Sequence, residues 1–139
     1  MIFNTNTEKG RARLSLGIAY FGANGYCVNL PLNDTQWYDF VIEKDGVFQT
    51  VQCKSTGTNK NEISLRNMGG TNGNEYDSVL NHNVDLLFCV DKNQNLFVIP
   101  MADIRQAGNI NRIRLYIKSP TSKYNHNKTF DTSKYIVKI

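Results

Sequence analysis

Apolar positions first recur at helical spacing. Leu14, Ile18 and Phe21 form one stripe within residues 7–24, with Thr7 as the expected N-cap and Gly25 as the stop. The period then changes to two. Residues 26–32, YCVNLPL, alternate briefly before Pro31 and the polar stretch NDTQ, which predicts a short strand and a turn. WYDFVIEK (37–44) and VFQTVQCKST (47–56) alternate on either side of Asp45-Gly46, a two-residue connection that favours a type I′ hairpin.

Beyond the hairpin, NEISLRN (61–67) reads as a strand, GGTNGN (69–74) as a loop and EYDSVLN (75–81) as a helical turn or two. VDLLFCVD and NLFVIP form a second apolar strand pair around KNQN. Pro100 starts a short helix over 100–108, and NRIRLYIK (111–118) and SKYIVKI (133–139) read as later strands. Because the strands cluster in hairpins and do not alternate with long helices, the pattern predicts a mixed α/β fold. Its expected form is a central mixed β-sheet flanked by helices, not a doubly wound parallel sheet.

The chain has 139 residues, 40% of them hydrophobic, which suits one domain over residues 1–139 with one core. No apolar stretch approaches the roughly 18–20 residues that span a bilayer, and the N-terminal sequence lacks a signal-peptide core. A cytoplasmic protein without a membrane partner is therefore expected. Cys27, Cys53 and Cys89 are far apart and set among apolar residues, so buried free thiols are expected in place of disulfides or a zinc site.

Net charge is +4, but the C-terminal third concentrates it: from Met101 onward eight basic residues face two acids, Asp103 and Asp131. Tyr116, Tyr124 and Tyr135 interleave with them. Two readings fit this composition, a soluble face of amphipathic lysines or a surface that meets nucleic-acid phosphates. On the second reading Arg112, Arg114, Lys118 and Lys123 contact phosphate, and Arg66 adds a further contact. GGTNGN has neither dinucleotide-binding nor P-loop spacing, and His82 and His126, each between asparagines, suit surface hydrogen bonding.

The hairpin carries the candidate chemistry. Gln52 and Lys54 are two residues apart, so one face of a strand holds both, roughly 7 Å apart. The turn at Asp45-Gly46 puts Asp39 opposite Gln52, within one residue of register. An acid, an amide oxygen and a lysine on one face suit metal-assisted phosphodiester hydrolysis, with Asp39 and Gln52 as hard oxygen ligands and Lys54 stabilising developing charge. The same residues also suit a hairpin whose polar face is simply solvated.

The stretch YDFVIEKDGVFQTVQCKST resembles the nuclease motif of the PD-(D/E)XK superfamily. More narrowly it is similar to the group I intron homing endonuclease branch, in which glutamine replaces the middle acid to give a D…QxK motif. Lys9-Gly10, Gly25-Tyr26, LPLNDTQWYD, VQCKS and NVDLLFCV…LFVIPMADI fall in the same order as in that branch, over roughly residues 9 to 105. The resemblance implies a restriction-endonuclease-like core and a Mg²⁺-dependent endonuclease acting on double-stranded DNA. It implies Asp39, Gln52 and Lys54 as catalytic residues, with Asp39, Gln52 and the carbonyl of Cys53 as metal ligands. One departure stands out: where that branch carries a first-helix glutamate, this chain has Leu14, and Glu8 lies about 120° away around the helix.

The expected function is a homing-type endonuclease acting as a homodimer or homotetramer, since one site per chain must cut two strands. The alternatives are a catalytically inactive DNA-binding protein on the same fold, or a junction-resolving or restriction-type nuclease.

Overall fold

A computed structural model describes residues 5–33, 35–57, 61–68, 76–108, 110–120 and 130–139. Lys123, His126 and the GGTNGN segment lie outside these described residues.

The first helix, α1, spans Asn6–Ala23. Its N-cap is Thr5 and not Thr7: the Thr5 hydroxyl accepts from the Glu8 N–H at 3.1 Å, and the Glu8 carboxylate accepts from the Thr5 N–H at 3.0 Å. Thr5 wins because a glutamate stands three residues on, completing a capping box that Thr7 cannot make. Gly25 follows the helix with φ +85°, as a left-handed stop requires.

Three strands come next: β1 (Cys27–Asn29), β2 (Phe40–Lys44) and β3 (Val47–Ser55). Asp45 and Gly46 between β2 and β3 both take positive φ, 53° and 79°, as a type I′ turn demands. Further on, β7 (Leu86–Val90), β8 (Leu96–Pro100) and β10 (Ile136–Val137) join them in a six-stranded sheet of order β1-β2-β3-β7-β8-β10. Among the described residues of this sheet only the β3–β7 pairing is parallel; the other pairs are antiparallel.

Between β3 and β7 the chain departs from its sequence pattern. NEISLRN divides at buried Leu65 into β4 (Glu62–Ser64) and β5 (Arg66–Met68). EYDSVLN gives a strand, β6 (Tyr76–Ser78), before a single 3-10 turn at Val79–Asn81, so the expected helical turn occupies only its second half. NRIRLYIK contributes the three-residue β9 (Arg112–Arg114), which pairs with β4, while β5 pairs with β6. A short helix, α2, spans Met101–Gln106 with Pro100 as N-cap, as the sequence predicts. SKYIVKI begins with a 3-10 turn, Ser133–Tyr135, that leaves only Ile136 and Val137 to the sheet.

Two apolar layers sandwich the sheet. On one face α1 packs Phe21, with Leu14 and Ile18, against Phe40, Val51, Cys53 and Phe88. On the other, Leu87, Cys89, Phe97 and Ile99 meet Ile63, Leu65, Ile104, Ile113 and Leu115 from the small ribbons and α2. The central strand β7 is therefore buried at every residue, which is why LLFCV is a continuous apolar run. Cys53 and Cys89 are buried, but Cys27 is exposed, on β1 at the edge of the sheet.

Candidate active site

The β2–β3 ladder begins at Phe40↔Val51, and this register places Asp39 beside Gln52. The Asp39 N–H donates to the Val51 carbonyl at 2.8 Å, carrying the pairing one step past the strand. Beyond that point β2 offers β3 no main-chain partner, and the Asp39 side chain fills the gap: its Oδ2 accepts from the Cys53 N–H at 2.7 Å. The carboxylate is thus fixed at the end of the hairpin by main chain. Next to it, the Gln52 amide nitrogen approaches the Cys53 carbonyl at 3.4 Å.

Alternation separates the two faces of β3. Val51 and Cys53 enter the core under α1, while Gln52 and Lys54 point to the opposite side, aligned with Leu87 and Cys89 of β7. Asp39 and Lys54 are each partly buried. Burial pushes the Asp39 carboxyl above the usual carboxylate range, against the Cys53 N–H and the nearby charges of Arg13 and Lys54, which pull it down. Burial likewise lowers Lys54 from its ordinary value, and the positive charge of Arg13 lowers it further. The Cys53 thiol is pushed far up, first by burial, so it is an inert packing group.

Asp39, Gln52 and Lys54 therefore come together as expected. The donor set of Asp39 carboxylate, Gln52 amide and Cys53 carbonyl consists of hard oxygens, which fits Mg²⁺ with a single protein carboxylate. Among the described residues no group of three His, Cys, Asp or Glu side chains could hold a metal. Leu14, at the position of the absent acid, packs against the core, and Glu8 is engaged in the helix cap. Arg13 was not anticipated. Its Nη1 donates to the Ser55 hydroxyl at 3.0 Å, bringing a second cation to the centre.

The sequence profile of the PD-(D/E)XK endonuclease family matches residues 5–134. The chain belongs to the PD-(D/E)XK endonuclease family. Its fold matches the solved structure of a bacterial homing endonuclease, I-Ssp6803I, with a TM-score of 0.72 over 96% of this chain and 89% of that one, at 17% identity. No curated protein sequence matches the chain. The mixed sheet with flanking helices is therefore the PD-(D/E)XK core that the D…QxK motif implied.

The expected phosphate-contacting residues distribute differently from the hairpin site. Arg66, Arg112, Ser64, Ile110 and Asn111 line an open cleft of ≈ 680 Å³. Arg112 and Arg114 share one acid, Glu62, at 3.8 and 2.8 Å, because β4–β9 pairing sets Glu62 opposite Arg114. Lys118 is exposed just past β9. His82 has a larger part than surface hydrogen bonding: its Nε2 is 2.6 Å from Asp77 Oδ2, and its ring stacks on Trp37 at 3.7 Å, two residues before Asp39. No helix among the described residues is long and apolar enough to cross a membrane.

Proposed function

We propose that this PD-(D/E)XK protein is a Mg²⁺-dependent endonuclease that hydrolyses phosphodiester bonds of double-stranded DNA, in the manner of a homing endonuclease. The observation that carries the reading is the Asp39 carboxylate held by the Cys53 N–H at 2.7 Å beside Gln52 and Lys54, in a chain of this family. Asp39, the Cys53 carbonyl and the Gln52 side-chain oxygen would hold the cation. To present that oxygen the Gln52 amide turns over, exchanging the nitrogen that now faces the Cys53 carbonyl. When bound, the cation supplies Lewis-acid polarisation of the phosphate.

Lys54 then holds its ammonium where negative charge grows on the phosphate, and partial burial strengthens that interaction over its value in water. Arg66, Arg112, Arg114 and Lys118 would grip the backbone away from the cut. Cutting both strands with one site per chain favours a homodimer or homotetramer. A DNA substrate and three free cysteines are in keeping with work in a reducing cytoplasm.

A second reading, a DNA-binding protein that no longer cuts, draws on one feature: Leu14 stands where an acid would, so α1 brings no carboxylate to join Asp39. One experiment separates the two. Supercoiled plasmid is incubated with wild type and Asp39→Ala, with and without Mg²⁺. Nicking or linearisation by wild type that needs Mg²⁺ and vanishes in the variant supports the nuclease; equal products from both proteins end the assignment of Asp39.

A further inference from the structure

Arg13 reaches the centre through the way α1 lies on the sheet. Gly17 has no side chain, and α1 sits so close there that a Cβ would come within 3.1 Å of the Cys53 Sγ. Arg13 is four residues earlier, on the same side of the helix, about 6 Å along its axis. Ser55 is two residues beyond Cys53 on the same face of β3, roughly 7 Å along the strand. The two steps match, and the Arg13 guanidinium meets the Ser55 hydroxyl at 3.0 Å.

That anchor uses one of five N–H donors in the guanidinium fork, and among the described residues no carboxylate lies within ion-pair distance of it. Asp39 feels the charge of both Arg13 and Lys54. A partly buried guanidinium held by one hydroxyl favours an anion beside it. Arginine's planar fork matches a phosphate's oxygens in pairs.

We propose that Arg13 is a phosphate-binding residue of the active centre, so that the DNA itself, in place of a first-helix acid, completes the charge balance there. This rests on the nuclease reading above and adds to it a residue on α1 that contacts the substrate.

The test uses the full chain and a DNA duplex. Affinity is measured in EDTA over a KCl series for wild type, Arg13→Gln, Arg13→Lys and Ser55→Ala, and single-turnover cleavage is then followed at saturating DNA and Mg²⁺. Arg13→Gln should lower the slope of log affinity against log salt by about one, and Arg13→Lys should keep it. Cleavage by Arg13→Gln should fall about 10²-fold, with a smaller loss in Arg13→Lys. Ser55→Ala, which removes the anchor but keeps the charge, should lose less than Arg13→Gln in both measurements.

An unchanged salt slope in Arg13→Gln overturns the proposal. So does a Ser55→Ala variant as impaired as Arg13→Gln, since Arg13 would then act only as a tie between helix and strand. Should wild type fail to cut, the nuclease reading falls, yet the EDTA series still decides whether Arg13 holds a phosphate.

Discussion

Gly17 lies against Cys53 so closely that a methyl group on it would stand 3.1 Å from the Cys53 Sγ and 3.2 Å from the rings of both Phe40 and Phe88. All three neighbours are buried core residues, and none is the free end of a flexible chain. A glycine within a helix ordinarily costs about 1 kcal/mol relative to alanine, so its presence here answers to packing and not to helix formation. Gly17→Val should overpack this contact and destabilise the protein by about 2–3 kcal/mol in urea unfolding. The same substitution should slow cleavage, because lifting α1 moves Arg13 away from Ser55. Wild-type stability in the variant would show that α1 does not lie this close.

Lys54 sits across from Cys89 on β7, partly buried, with a charge that burial disfavours. A lysine kept in such a place, on the proposed mechanism, stabilises charge that appears only during the reaction. Lys54→Met should therefore lower the single-turnover rate by about 10²-fold or more at saturating DNA and Mg²⁺, while the Mg²⁺ concentration giving half the maximal rate stays as in wild type. Recovery of the full rate at high Mg²⁺ would instead make Lys54 an accessory to metal binding.

The hairpin was legible in the sequence because its information is local. Asp45-Gly46 sets the turn, the turn sets the register, and the register brings Asp39 beside Gln52. The segment from β4 to β6 was not legible, because its pairings are remote: Glu62 meets Arg114, and the Leu65 N–H donates to the Asn111 carbonyl. Alternation over seven residues cannot reveal that a buried Leu65 divides a run into two strands with different partners. Arg13 was missed for a related reason. Its partner Ser55 is remote in sequence, and the close approach of α1 at Gly17 is what brings this side chain to β3. The exposed Cys27 belongs here too, since an apolar neighbourhood in sequence does not show that a strand lies at a sheet edge.

Asp77 accepts from the side chain of Asn81, from His82 across 2.6 Å and from the Ser78 N–H, and these bonds hold its carboxyl down to about 2, against an ordinary value of 3.8. A carboxyl depressed on folding contributes stability that is present above its unfolded value and lost as pH falls through its folded value. The stability difference between wild type and Asp77→Asn should accordingly be full above about pH 4 and shrink as pH falls toward 2. Since His82 stacks on Trp37, the variant should also change tryptophan fluorescence. Urea titrations at a series of pH values read the first effect, and a difference independent of pH would assign Asp77's bonds no electrostatic share.

Glu62 stands between Arg112 and Arg114, and its hydrogen bond to Arg114 is the first cause raising that guanidinium above its ordinary value. Both arginines are exposed, so the pairing competes with any phosphate that approaches. Such surface pairs contribute roughly 0.2–1 kcal/mol, enough to change affinity about 1.4- to fivefold when the acid is neutralised. Glu62→Gln should therefore tighten DNA binding by that factor at low salt, an effect opposite in sign to removing the arginines. Arg112→Ala with Arg114→Ala should weaken binding across sequences and reduce the salt slope by about two, if each contacts one phosphate, with little change in cleavage at saturating DNA. An unchanged slope together with loss of self-association would move β9 into a subunit interface, and the contact to DNA would then have to come from Arg66 on the neighbouring side of the same cleft.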